Sequence, residues 1–100
     1  MKYHVRITET AAAQIDEAYA WLAERTVHAQ EWHDDLRKAI ASLEEMPLRC
    51  PRVPPKEDDS GDVRHLIFGG KWHGYRIIFK VEGDDVMVLQ LRHGARNRPF

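Results

Sequence analysis

The chain predicts an α+β domain, and three observations predict it. An alternating apolar stretch opens the sequence, two stripes of helical spacing follow it, and three strand-like runs come between residues 63 and 93. Helices and strands segregated along the chain, rather than alternating, give a helical layer laid on an antiparallel sheet. The expected order is an N-terminal strand, an antiparallel two-helix hairpin, then a three-stranded antiparallel meander.

Residues 3–8, Tyr-His-Val-Arg-Ile-Thr, place Tyr3, Val5 and Ile7 at the period of a half-buried strand. Thr8 then serves as an N-cap with Glu9 in the first turn. Ala12, Ile15, Tyr19 and Leu22 carry a helix over residues 9–25. After the break at Arg25-Thr26-Val27, the stripe Trp32, Leu36, Ala39, Ile40 and Leu43 predicts a second helix, stopped by Met46-Pro47. So short a connection makes the pair an antiparallel hairpin. Residues 47–62 hold Pro47, Pro51, Pro54 and Pro55 and the polar run Lys56 to Asp62, the composition of a loop. Strands are expected at Val63 to Phe68, Tyr75 to Val81 and Val86 to His93. A Gly-rich separator (69–74) and a hairpin turn at Glu82-Gly83-Asp84-Asp85 part them.

One hundred residues, 43% apolar and 31% charged, suit one small domain without room for a second core. No apolar run reaches the roughly 20 residues that span a bilayer, and MKYHVRITET lacks the apolar centre of a secretory signal, so a cytoplasmic protein with no membrane partner is expected. The single cysteine, Cys50, excludes an internal disulfide framework and a cysteine-rich zinc cage. His28 and His33, five apart with no evident further ligands, make no zinc site; neither metal nor cofactor is expected. The charge is uneven. Residues 1–62 carry 8 Lys/Arg against 13 Asp/Glu, and residues 63–100 carry 7 against 3. A basic C-terminal third on a near-neutral chain fits either a local anionic partner or an ordinary solvated face.

If Gly83-Asp84 is a two-residue hairpin loop, Val81 pairs with Val86, Ile78 with Leu89 and Arg76 with Leu91. One face then carries Arg76, Ile78, Lys80, Met87, Leu89, Leu91 and His93, the other Tyr75, Ile77, Phe79, Val81, Val86 and Val88. Both are largely apolar, and the two helices can cover only one. The second face is left for a partner chain or a binding hollow.

Six pieces in this order and spacing resemble the RelE/ParE superfamily of toxins from type II toxin-antitoxin modules. They are a strand ending in Thr8, an Ala-rich first helix, a second helix ending in Leu43-Glu44-Glu45-Met46-Pro47, then Val63-Arg64-His65-Leu66, Gly74-Tyr75-Arg76-Ile77-Ile78-Phe79 and Leu91-Arg92-His93-Gly94-Ala95-Arg96. The likeness covers nearly the whole chain, and its ParE-like branch is the nearer. The resemblance implies a compact toxin wrapped by a cognate antitoxin segment. ParE-like members poison DNA gyrase without chemistry of their own, whereas RelE-like members cut messenger RNA in the ribosome. A poorly soluble or self-associating free chain is expected, with a homodimer as one outcome.

RNA cleavage needs a base, an acid and cations for the charged phosphorane. Under the endoribonuclease alternative the catalytic residues are Arg76, His93 and Arg96, with Arg76 and His93 on one face by the register above. Two departures weigh against it: the position after Arg64 on its face is Leu66 rather than a second lysine, and the sequence ends at Phe100, before the position of the RelE-like tyrosine. Under the ParE-like reading, which ranks first, Arg64, Trp72, Arg92 and Arg98 are target-binding candidates. Each has a plainer reading as well. Arg76 suits an ion pair to Asp85 or the tail, Trp72 suits packing onto its own core, and His93 suits a hydrogen bond to the tail. Trp21 and Trp32 are assigned to packing within the hairpin. Cys50, between prolines and with no base in reach, is not a nucleophile.

Overall fold

The computed structural model describes residues 2–53, 63–68, 75–93 and 98–99. Strand β1 (His4–Ile7) leads into helix α1 (Glu9–Ala23) and helix α2 (Ala29–Ala41). Two single 3₁₀ turns, Ser42–Glu44 and Pro47–Arg49, connect to β2 (Val63–Phe68), β3 (Tyr75–Glu82), β4 (Asp85–His93) and a short β5 (Arg98–Pro99). The α+β class and the hairpin-then-meander order stand. None of the described helices is long and apolar enough to cross a membrane.

Thr8 caps α1 as its side chain type predicts: its hydroxyl accepts from Ala11 N–H at 3.2 Å. The same hydroxyl donates to the carbonyls of Val88 at 2.9 Å and Leu89 at 3.3 Å, tying the helix start to β4. The buried side of α1 is Ala11, Gln14, Ile15 and Ala18, with Tyr19 and Leu22 at its margin and Ala12 exposed. This is a rotation from the expected stripe. Its cause is steric: Ala11 and Ala18, both at 0% exposure, let the helix backbone close on β4 where a larger residue would hold it off. On α2, Trp32, Leu36 and Ile40 point inward as expected.

The sheet order is β1-β4-β3-β2, with β5 also paired to β4. The meander is antiparallel, but β1 joins it parallel to β4, pairing Val5 with Val86 and Ile7 with Val88. The expected two-residue turn holds, since Glu82 faces Asp85 and Val81 faces Val86. Gly83 sits at φ +60°, as the first central position of a type II′ hairpin turn requires. Both helices cover one face, against Phe68, Tyr75, Ile77, Phe79, Val86, Val88 and Leu91. Each fully buried aliphatic side chain there contributes about 1.5–3 kcal/mol.

β1 stops at Ile7 and β5 begins pairing at Arg92, so no described strand lines the edge of β4 between them. Gln14 fills that gap. Its side-chain oxygen, on a residue 8% exposed in the middle of α1, accepts from Leu91 N–H at 2.8 Å. A buried backbone donor left unpaired costs its full desolvation penalty. Gln14→Leu, which keeps the volume and removes the acceptor, should therefore lower stability by about 1–3 kcal/mol, read as a lower urea midpoint at unchanged slope.

Candidate functional site: the helix-free face of the sheet

Alternation along three strands builds the face that the helices leave open. β3 contributes Arg76, Ile78 and Lys80. Opposite them on β2 stand Ile67, His65 and Val63, in that order. On β4, Lys80 faces Met87, as the simple hairpin register requires, but the pairing then shifts between Ile78 and Phe79. Phe79 pairs with Val88 and Ile78 with Gln90, leaving Leu89 as the extra residue of a β-bulge. The expected pairs Ile78–Leu89 and Arg76–Leu91 are thereby corrected: Arg76 faces Arg92, Ile77 faces Leu91 and Tyr75 faces His93.

The bulge has a packing cause. Val88 and Leu91 are both 1% exposed in the core although they lie three apart, a spacing that a period of two cannot bring to one side. One extra residue does. Thr8 secures it by holding the carbonyls of Val88 and Leu89, and Gln14 by holding Leu91 N–H. The consequence for function is direct. His93, expected beside Arg76, lies on the helix side, its ring edge-on to Tyr75 at 4.8 Å.

Arg76 and Arg92 are thus cross-strand neighbours on the open face, both half-buried. Arg76 Nη1 lies 3.2 Å from His65 Nδ1. A guanidinium only donates, so in this contact the ring nitrogen is the acceptor. Arg92 Nε donates to Gln90 Oε1 at 2.8 Å. Each guanidinium is oriented by a neighbour on its own face. At the other end of the strands the charges are mixed, with Arg6 3.6 Å from Asp85 and Lys80 3.4 Å from Glu82.

The apolar part of this face is smaller than expected. Val63 and Ile78 pack with Leu89 under Val53, and Val53, Val63 and Ile78 are each 8% exposed or less. Val53 reaches them because the segment before it runs along β2: Val53 N–H donates to Val63 O at 2.8 Å and His65 N–H to Pro51 O at 3.0 Å. The chain covers part of its second face by itself. Ile67 remains open, at 62% exposure.

Of the other predicted residues, Arg64 donates to Cys50 O at 2.7 Å, tying the connecting segment to β2. Trp72 and Arg96 lie outside the described residues. Arg98 enters β5 opposite His93 through its backbone. Trp32 packs in the main core against Phe68 and Tyr75, whereas Trp21, assigned to hairpin packing, is exposed with the Arg25 guanidinium 4.1 Å above its ring. Burial pushes the Cys50 thiol up from its ordinary value, with Arg49 and Arg64 pulling partly back, so the sulfur is held as thiol rather than reactive thiolate. Gln90 was not singled out from the sequence, and His65 only as part of the Val63-Arg64-His65-Leu66 piece. The legible signal was the break from period two at Val86, Val88 and Leu91, which marks a bulge and so exchanges the neighbours of Arg76.

Chemically, this arrangement offers two oriented cations and no acid-base pair of Arg76 with His93. It is suited to holding anions. A protein-family model described as the ParE toxin of the type II toxin-antitoxin system, parDE, matches residues 5–98. Among solved structures, the chain is similar to the chromosomal ParDE toxin-antitoxin system from P. aeruginosa. The TM-score is 0.75 at 20% identity, over 92% of this chain and 96% of that one. No curated protein sequence gives a significant match.

Proposed function

Because the chain belongs to the ParE toxin family of type II toxin-antitoxin systems, we propose that it arrests growth by binding DNA gyrase without a chemical step of its own. A cognate antitoxin neutralises it. The observation that carries this reading is the separation of Arg76 from His93 by the bulge in β4. RNA cleavage of the RelE kind needs cation, base and acid converging on one phosphate. Here the arginine of that trio stands on the helix-free face and the histidine on the helix side. The open face supports binding instead, through Arg76 and Arg92 with exposed Ile67 beside them.

The test pairs two reactions with the purified full chain. In a supercoiling reaction with purified gyrase the wild type and His93→Ala should both inhibit, because no proton transfer is involved. In a reconstituted translation reaction no new messenger RNA ends should form. New ends within translated codons that vanish in Arg76→Ala and His93→Ala would make the protein an endoribonuclease and refute the gyrase reading. Unimpaired supercoiling with no new ends would refute both and leave a relative that only titrates antitoxin.

A further inference from the structure

We propose that the outer edge of β1 is a docking strand for an acidic extended peptide, which joins the sheet there as a further antiparallel strand. The inference goes beyond the gyrase reading and does not rest on it, since it concerns a sheet edge rather than the helix-free face. β1 ends the sheet on one side and β2 on the other. Pro51 and Val53 run along part of β2. Among the described residues, the outer side of β1 meets its own chain only at the start, where Lys2 pairs with Glu45 and Tyr3 N–H donates to Glu44 O at 2.9 Å. His4 N–H and Thr8 N–H are turned inward, to Asp84 O at 2.8 Å and Val88 O at 3.0 Å. Alternation therefore turns the N–H and C=O of Val5 and Ile7 outward, away from β4. A groove lined by Lys2, Tyr3, His4, Val5, Arg6 and Glu44 follows this edge. Outward amides and carbonyls in such a row are a template for another strand.

The two sides of β1 specify what the incoming strand carries. Tyr3 and Val5 pack against the main core, and Ile7, on their side by alternation, is 48% exposed. Lys2, His4 and Arg6 alternate with them on the helix-free side, all exposed. Cross-strand neighbours gain from apolar contact on the first side and from opposite charge on the second. A segment alternating aliphatic and acidic residues supplies both. Lys2 lies 3.9 Å from Glu44 and Arg6 3.6 Å from Asp85, but exposed pairs of this kind contribute little, and an arginine fork has donors for a second carboxylate. A second copy of the chain fits poorly. Pairing Val5 with the Ile7 of another copy sets Arg6 against Arg6, like charges directly opposed. Pairing Val5 with Val5 sets Ile7 against Tyr3, whose N–H is already held by Glu44 O.

Fluorescence anisotropy of a short labelled peptide alternating valine and glutamate, titrated with the full chain, tests the edge. In an antiparallel pair the valines opposite Val5 and Ile7 present their N–H groups to β1, and the glutamates turn theirs to solvent. N-methylation of the valine amides should therefore abolish binding, whereas N-methylation of the glutamate amides should leave the affinity within about twofold. Val5→Pro removes one outward donor and no bond to β4, and should weaken binding by about tenfold. Arg6→Gln should weaken it by about threefold, and lysine in place of glutamate in the peptide by more. The methylated peptides are read on the wild-type chain, so a folding defect in a variant cannot imitate their contrast. Absence of binding, equal loss with both methylation patterns, or equal affinity for the lysine peptide would overturn the docking strand. So would a dimer in sedimentation equilibrium that Val5→Pro converts to a monomer, which would assign the edge to a second copy. Peptide binding with unimpaired supercoiling would keep the docking strand and sink the gyrase reading, while inhibition without peptide binding would do the reverse.

Discussion

Trp32→Ala should lower the melting temperature by on the order of 20 °C. Trp32 is fully buried at the centre of α2, its ring 5.4 Å from that of Tyr75 and 6.4 Å from that of Phe68. Those two aromatics stand directly opposite one another on β3 and β2, so the indole joins the helical layer to both strands. Truncating a buried aromatic to alanine removes its transfer free energy and leaves a cavity, about 3–5 kcal/mol together. A domain of this size has only about 5–15 kcal/mol in total. Trp32 Nε1 has no hydrogen-bond partner among the described residues, so Trp32→Phe forfeits area but no such bond and should cost clearly less. Thermal unfolding followed by far-ultraviolet circular dichroism separates the two. A shift of only a few degrees in Trp32→Ala would mean that α2 does not seat this residue between the strands.

Leu91→Asp should abolish folding, whereas Ile67→Asp should leave the melting temperature within a few degrees of wild type. The contrast tests the bulge. Leu91 is 1% exposed in the main core, and an ionised carboxylate there has neither solvent nor a cationic partner in that apolar cluster. Burial of such a charge costs more than the whole stability margin unless the group is neutralised. Ile67 is 62% exposed on the helix-free face, where a carboxylate stays in water. In the unbulged register Leu91 would share that face with Arg76, and the same substitution would be tolerated. A folded, cooperative Leu91→Asp would therefore restore the simple register and return His93 to the side of Arg76, reviving the arrangement that cleavage needs.

These contrasts show how much of the site could be read from the sequence. Arg76 was identifiable as a strand arginine in a basic third of the chain, and Arg92 as a target-binding candidate, because residue type and strand membership are local properties. Their juxtaposition does not follow from the simple hairpin register, since it depends on one unpaired residue thirteen positions downstream of Arg76. A one-residue change of register turns every following side chain to the other face. Leu91, Arg92 and His93 all changed sides in this way.

What the sequence by itself determined is what short-range chemistry controls. Thr8 caps α1 because its hydroxyl reaches an amide three residues on, and Gly83 makes the β3–β4 turn because a positive φ is cheap there. The stripe of α2 is inward-facing because helical geometry repeats every 3.6 residues. Only the tertiary structure decided the parallel seat of β1 beside β4, the addition of β5, the Gln14 plug and the bulge. The seat of β1, the Gln14 plug and the Thr8 bonds that hold the bulge each satisfy a group on β4 with a group distant in the chain. Gln14 and Leu91 are 77 positions apart, Thr8 and Val88 80. Such partners are chosen by which buried amides and apolar side chains still need one once the layers have closed, a condition that exists only in the folded chain.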